Sequence, residues 1–491
     1  MAAVAALYAG VLLVLAAQAG HRLVHALRFW RWRGKPPHVP PLPVELPAVT
    51  VQLPVFNERD VVAGLVDAVA ALDWPVDLLS IQVLDDSTDD TAIMAAGAIA
   101  RARARGLSVT VLRRDQRLGF KAGALAAGMD ASPDAYFAIF DADFRPGPDF
   151  LRRMMPSFSE AQIGMVQARW GHDNADISTL TAAQAVILDA HFTVEHLGRN
   201  RAGHWFNFNG TAGVWRRAAV DDAGGWDGDT LTEDLDLSYR AQLAGWRCVY
   251  RDDVVVPGAL PRTMAALLAQ QRRWALGSIV TLLKLGGRIA RADAPTATKW
   301  EALAHLSGNL GWPLALLLAG LLPILAPLGA LNPTVESAGI AVVLLGTASQ
   351  VLVLALPGRR GARDIGLALA LCLGLAAAQT RAVVDALFAR PGEFVRTPKS
   401  GPEGTSYDDP AGPILPIELV LGAWQLVGLG VALAQGNVRS VPFLALLAGG
   451  FLWVGTGRLH GGNGAVGEGA ASPFPVTGES LMPPAGRLPR P

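Results

Sequence analysis

The stretch Ile139-Phe140-Asp141-Ala142-Asp143-Phe144 decides how the chain is read. An apolar run, Tyr136 to Phe140, leads into two carboxylates one residue apart. That is the pattern of a buried strand delivering Asp141 and Asp143 at its end, where open α/β sheets place their ligands. Two residues apart on extended backbone, the two side chains share a face. One carboxylate then reaches a divalent metal while the other holds a ligand hydroxyl or the same metal. Mg2+ and Mn2+ suit such a site, because they keep few protein ligands and take the rest from phosphates. Taken alone, the stretch reads equally as a strand-end turn with two solvated aspartates.

Working outward, residues 48–260 alternate strand-like and helix-like segments. Val49 to Leu53, Ser80 to Leu84, Val109 to Leu112 and the run at Tyr136 have strand character. Val61 to Leu72, Ala92 to Arg105 and Ala122 to Met129 have helical spacing. The order predicts an α/β domain with a mixed, mostly parallel sheet and its ligands at the strand C-ends.

The rest of the chain is too apolar for an ordinary soluble enzyme. Of 491 residues 51% are hydrophobic and only 17% charged, and the charges concentrate between about 28 and 300. Apolar runs at Val4–Ala19, 302–328, 338–356, 414–434 and 441–454 predict five membrane spans. Arg22, Arg28, Arg31, Arg33 and Lys35 after the first run predict an uncleaved anchor with its C-terminal flank inside, although Ala17-Gln18-Ala19 also resembles a signal-peptidase site. Arg359, Arg360 and Arg363 place the end of the third span on the same side. Residues 365–388, interrupted by Gln379, Arg381 and Asp385, read as an interfacial or re-entrant helix, with a true span as the alternative. The expected layout is an anchor (1–35), a proline-rich linker (36–47), a cytoplasmic domain (48–260), an interfacial helix (261–300), a transmembrane region (301–457) and a disordered tail (458–491). Segments 177–198 and 262–289 read as amphipathic helices. Basic residues of the second (Arg262, Arg272, Arg273, Lys284, Arg288) favour a membrane interface over a globular surface. Zero net charge gives no argument for nucleic acid. Cys248 and Cys372 stand far apart and form neither a disulfide framework nor a zinc pattern.

Further motifs carry chemistry. Pro54-Val55-Phe56-Asn57-Glu58 and Leu84-Asp85-Asp86-Ser87-Thr88-Asp89-Asp90 end the first two strands in polar groups. Phe56 could stack on a base while Asp86 accepts an N–H, or the acids and hydroxyls could simply cap helices, as Asp89 or Asp90 is expected to do. Gly119-Phe120-Lys121-Ala122-Gly123 sets a lysine at a helix start, an anion site. Thr232-Glu233-Asp234 offers a general base if its pocket raises the pKa, or a cap with acids in the first turn. Gln270, Arg273 and Trp274 share one helix face, where an arginine can neutralise a leaving diphosphate and an indole can stack on a sugar. An interfacial tryptophan beside a snorkelling arginine is the plainer reading.

In this order the motifs resemble the membrane-embedded family 2 glycosyltransferases of the cellulose synthase and hyaluronan synthase group. The chain is most similar to the plant cellulose-synthase-like A and C proteins, which make mannan and xyloglucan backbones. The likeness lies in Gln82–Asp89, Phe120–Leu125, Ala138–Phe144, Val166–Trp170 and Phe208–Arg216. It implies a GT-A type nucleotide-sugar domain joined to an α-helical transmembrane region. Phe56, Glu58 and Asp86, with Asp85 close by, would hold the nucleotide of the donor, GDP-mannose or UDP-glucose. Lys121 and Asp141 would contact the diphosphate and sugar. Asp143, with Asp141, would bind Mg2+ or Mn2+. Asp234 would be the catalytic base. Arg273 would hold the diphosphate, and Glu233, Gln270 and Trp274 the acceptor, in a site lined by the loop Phe208, Asn209 and Gly210. Phe394-Val395-Arg396-Thr397-Pro398-Lys399 resembles a cytoplasmic gating loop carried by Phe394, Thr397 and Lys399, with Arg396 departing from the pattern. The implied enzyme is an inverting, processive β-glycosyltransferase of the plasma (inner) membrane, in contact with membrane lipids, that exports its glycan through its own helices. The alternative is single addition of a sugar to a lipid acceptor.

Overall fold

Residues 2–37, 39–328, 333–388 and 416–462 are described by the structure, a computed structural model. Helix α1 (Ala2–Trp32) comes first. Strands β1 (Val49–Val55), β2 (Leu79–Asp85), β3 (Ser108–Leu112) and β4 (Tyr136–Ile139) then alternate with α2 (Val62–Ala70), α3 (Thr91–Ala104) and α4 (Phe120–Asp130). Next come α5 (Phe150–Met154), β5 (Ile163–His172), α6 (Thr179–Ala190), α7 (Leu197–Arg201), β6 (Gly213–Arg216), α8 (Arg217–Asp222), α9 (Glu233–Leu243) and β7 (Arg247–Gly258). The seven strands form one sheet in the order β3-β2-β1-β4-β6-β5-β7. Strand β6 runs antiparallel to β4 and β5, and the other pairings are parallel, so the sheet is mixed and mostly parallel as expected.

Alternation along each strand builds two cores. Ala138 and Phe140 join Val51, Leu53, Leu65 and Ala98 on one face. Phe137 and Ile139 join Leu125, Met165, Val186 and Trp215 on the other. The two central polar side chains on β1 and β2 are tied to each other and to α4: Gln52 donates to Gln82 (3.1 Å) and to the Leu125 carbonyl (3.2 Å), and Gln82 donates to the Gly128 carbonyl (2.8 Å). The second core does not stop at the domain edge. It continues into Val353, Leu354, Leu371, Leu375 and Val454 of the apolar helices, so the domain and those helices share one packed interior.

Those helices are α10 (Met264–Arg291), α11 (Thr296–Ser307), α12 (Gly311–Leu328), α13 (Pro333–Ala355), α14 (Ala362–Gly374), α15 (Ala376–Leu387), α16 (Ile417–Ala434) and α17 (Val441–Gly462). Among the described residues five stretches are long and apolar enough to cross a bilayer: Tyr8–Trp32, Thr296–Leu321, Ser337–Ala355, Ile417–Ala434 and Val441–Leu459. This is the pattern of a membrane protein. The first stretch runs beyond the expected Val4–Ala19, because no breaker intervenes before Gly34, whose φ of 71° ends the helix. Its polar residues are held inside the bundle: His21, His25 and Arg28 all contact the Glu301 carboxylate, which Arg199 also binds at 3.1 Å.

Helix α10 packs against α9, α11, α15 and α17. Its basic residues Arg272 and Lys284 are engaged by protein carboxylates, Arg272 with Asp385 at 2.9 Å. Arg272 and Lys284 are thus neutralised within the protein, while Arg262 and Arg288 stay exposed. Two of the polar residues that interrupt 365–388 are likewise paired within the protein. Asp385 pairs with Arg272, and Gln379 donates to Gln271 at 3.1 Å, docking α15 onto α10. Helices α14 and α15 meet at a 41° bend.

Candidate active site

The C-terminal edge of the parallel strands opens into a cleft of about 190 Å³. Phe56 and Glu58 reach it from the end of β1, Asp86 from β2, and Lys121 from the first turn of α4. Asp141 and Asp143 come from the segment after β4, Asn209 and Gly210 from the loop before β6, Glu233 and Asp234 from the start of α9, and Gln270, Arg273 and Trp274 from α10. Motifs 218 residues apart in sequence, Phe56 to Trp274, thus line one hollow.

Asp141 and Asp143 do not share a strand face. Strand β4 ends at Ile139, and the two acids sit in a turn closed by the Phe144 N–H on the Asp141 carbonyl (3.0 Å). Arg145 holds this turn rigid by donating to the carbonyls of Ala142, Phe144 and Val61, each at 2.8 Å. Lys121 extends from behind Gly119, which caps α4 at φ 66°. Its Nζ donates to Asp141 Oδ1 (2.6 Å) and to the Gly210 carbonyl (2.8 Å), and lies 4.0 Å from Glu233. Burial works to lower the Lys121 pKa, but Asp141 and Glu233 outweigh it and hold it above the ordinary value. The lysine remains an ammonium.

Asp234 accepts the Leu235 N–H at 2.8 Å. Burial first, and the neighbouring Glu233 charge second, push its carboxyl up to about 7. Burial raises Glu233 as well. Thr232 occupies the N-cap position of α9, but its hydroxyl makes no capping bond. At the start of α3, Asp89 rather than Asp90 supplies the side chain, accepting the Thr91 N–H at 3.0 Å.

At the far end of the cleft the guanidinium of Arg117 lies 3.5 Å from the centre of the Phe56 ring. Arg114 Nε donates to Asp86 at 3.0 Å and its other nitrogens bind the carbonyls of Leu118 and Phe120 at 2.8 Å. Asp86 therefore tethers the loop that carries Lys121, besides lining the cleft. Sequence reasoning missed both arginines, though the basic run Arg113-Arg114-x-x-Arg117 directly after β3 was the available signal. Asp85 is a correction. It is buried, accepts the Ser87 N–H at 3.0 Å and pairs with Arg113 at 3.3 Å, so it shapes the strand end and is not part of the cleft wall.

Phe208 is a second correction. It is fully buried against Trp215 and presents no surface to the cleft. Its neighbours do: Asn209 is positioned by its N–H on Gln167 Oε1 (3.0 Å), and Gly210, at φ 81°, brings the loop against Lys121 and Asp234. Trp170 was another residue that reasoning from the motifs overlooked. Its ring centre stands 6.5 Å from that of Trp274. Both indoles, with Asn209, Thr232, Asp234 and Gln270, also line a second hollow of about 380 Å³. That hollow continues past His191, Glu195 and His305 to Gln350, Cys372 and Gln379 of the apolar helices.

For a divalent cation the two turn carboxylates divide. Asp141 is bonded to Lys121, whereas the nearly buried Asp143 lies on the cleft wall with His172. An oxygen donor opening onto a phosphate-sized cleft fits Mg2+ or Mn2+. The other carboxylate clusters with metal-like spacing among the described residues, His21/His25/Glu301 and Asp227/Asp229/Asp236, already hold arginines and Lys284. The gating-like residues Phe394, Thr397 and Lys399 lie outside the described residues.

Residues 47–277 match the family model described as glycosyltransferase like family 2. The chain is 45% identical over 258 residues to glucomannan 4-beta-mannosyltransferase 1 of Oryza sativa subsp. japonica, covering 52% of this chain and 50% of the relative. It is 45% identical over 250 residues to glucomannan 4-beta-mannosyltransferase 2 of Arabidopsis thaliana, covering 50% and 47%. The chain thus spans about half the length of the curated relatives it matches. In fold it is similar to a mannosyltransferase from Pyrobaculum calidifontis, solved in complex with GDP-Man and Mn2+. That likeness has a TM-score of 0.57 and 23% identity, over 78% of this chain and 100% of the other.

Proposed function

We propose that this chain, whose residues 47–277 are a glycosyltransferase family 2 domain with a GT-A fold, is an inverting, processive hexosyltransferase that lengthens a β-linked mannan- or glucan-type chain. The observation that carries the reading is the position of Asp234. It is on the wall of the cleft that holds Lys121 and Asp143, and on the wall of the hollow that runs among the apolar helices. A group there can meet a donor from one side and an acceptor from the other.

Asp234 takes the proton from an acceptor hydroxyl, and that oxygen attacks the anomeric carbon from the face opposite the diphosphate. The bond to the diphosphate breaks, and an α-linked donor yields a β-glycoside. Lys121 and Arg273 offset the charge that grows on the leaving diphosphate. Bound at Asp143, Mg2+ or Mn2+ supplies further charge neutralisation there. Phe56 and Asp86 hold the base. Trp170 and Trp274 stack on the acceptor sugar, with Asn209, Gln270 and Glu233 as polar partners. The names of the plant relatives and the GDP-Man bound to the archaeal neighbour favour GDP-mannose as donor, with UDP-glucose second.

The layout follows from the same reading: an anchor, a linker, a cytoplasmic catalytic domain at the inner face of the plasma membrane, and a helical region through which the glycan leaves. Contacts of the α13–α14 loop support it. Arg359 pairs with Asp189 at 3.2 Å and Arg360 with Asp176, so the arginines predicted to be cytoplasmic touch the catalytic domain. Membranes carrying the protein, supplied with labelled GDP-mannose or UDP-glucose, test the whole reading. Label in alcohol-insoluble material supports it. Label only in lipid extract replaces chain growth with single addition to a lipid, and no label in either overturns it.

A further inference from the structure

The loop that leads to Glu233 and Asp234 has no regular secondary structure from Trp226 to Thr232. It is nonetheless held at its start, its centre and its end. At its start, Arg240 donates to the Gly225 carbonyl at 2.9 Å and to Asp236 at 2.6 Å. At its centre, Gly228 lies against Gly119, so close that a Cβ there would stand 2.7 Å from the Gly119 Cα. At its end, Thr232 fills the space over Gly277, where a Cβ would be 2.2 Å from the Thr232 hydroxyl. One loop therefore touches the cap of the Lys121 helix, the first turn of α9, and α10.

Lys284 stands where these meet. Its Nζ donates to Asp227 at 3.0 Å and to Asp229 at 2.8 Å, and faces the fully buried Asp236 at 3.1 Å. An ammonium has three N–H donors, and this one has a carboxylate within reach of each. The two loop acids are half exposed and would repel each other and Asp236 without it. Lys284 lies ten residues beyond Trp274 on the same helix, about 15 Å along its axis. It cannot touch a sugar bound at Trp274.

We propose that Lys284 is a positioning residue for sugar transfer: by clamping Asp227, Asp229 and Asp236 it fixes Glu233 and Asp234 relative to the α10 residues Gln270, Arg273 and Trp274. The clamp rests on the function proposed above. It sets the geometry between base and acceptor, while the nucleotide is held by other elements. Its loss therefore lowers kcat and leaves the donor KM in place.

Steady-state transfer by the full-length protein in membranes tests this. Lys284→Met is expected to lower kcat by about 10- to 100-fold, the scale of a small misplacement of reacting groups, with donor KM changed less than about twofold. Lys284→Arg, which keeps the charge, is expected to recover most of the loss. Asp227→Asn with Asp229→Asn opens the clamp from the exposed side and is expected to cost the same, and the combined variant no more than either alone. Wild-type kcat in Lys284→Met or in the double asparagine variant, losses that add, or a rise in donor KM in step with the fall in kcat would overturn the clamp. If Lys284→Met does not fold, the asparagine pair decides. Wild-type membranes that transfer no hexose overturn the proposed function itself, which separates the two failures.

Discussion

Gly210 and Asp234 meet so closely that a methyl group on the glycine would stand 3.1 Å from the Asp234 carboxylate and 3.3 Å from the Lys121 ammonium. The contact brings the acid that would take a proton and the cation that would steady the leaving group to the same residue. It also explains the φ of 81° at this position, since only glycine adopts that conformation at little cost.

Gly210→Ala is therefore expected to do two things. The left-handed backbone costs the alanine variant about 1–2 kcal/mol, seen as a lower Tm. The methyl group displaces Asp234 or Lys121, and transfer falls by about 10- to 100-fold while nucleotide still binds. An alanine variant with the wild-type rate would show that the loop does not set this geometry.

The raised pKa of Asp234 gives a pH dependence with a definite sign. A base works only when ionised, so transfer at low donor concentration climbs as pH rises through about 7. Folding favours the neutral carboxyl. That contribution to stability is fully present below the ordinary value of 3.8 and is lost as pH rises through about 7. Asp234→Asn cannot ionise there, so its Tm gains on the wild type between about pH 4 and 7. Because Glu233 titrates beside it, the midpoint belongs to the pair. A Tm difference constant over that window would contradict the burial of the charge.

The Trp274 ring stands 6.5 Å from that of Trp170, on the wall of the hollow proposed to take the acceptor. Trp274→Ala is expected to lose labelled polymer by about tenfold or more, as one to three kcal/mol of stacking is removed, while slow release of sugar from the donor continues. Measuring both products in one reaction separates the cases. If polymer and donor hydrolysis fall together, the indole supports the fold of α10 instead.

How far these relationships could be read in advance depends on whether a residue's partner is local. Strands β1 to β4 were legible because each is a short apolar run between turn signals, and the acids and lysine at their ends fell where an α/β sheet binds ligands. Strand β6 has four residues and β7 carries Arg251, Asp252 and Asp253, so neither shows a strand pattern. The side of a residue was equally hidden. Asp85 and Asp86 are adjacent, yet alternation sends one behind the strand and the other into the cleft. Phe208 and Asn209 divide in the same way. The ion pairs of α10 are the clearest instance: Arg272 and Lys284 have partners 113 residues after and about 50 residues before them, at Asp385 and at Asp227, Asp229 and Asp236. No local spacing reports such a pair.

In the proposed mechanism Asp234 removes the acceptor proton in a cleft that binds the donor without it. The direct measurement compares wild type and Asp234→Asn for transfer from labelled GDP-mannose and for binding of GDP. Transfer is expected to fall by about 100- to 10,000-fold, the range for loss of a general base, with the Kd for GDP changed less than about threefold. Transfer within about threefold of wild type at pH 7 would remove Asp234 as the base and contradict the mechanism.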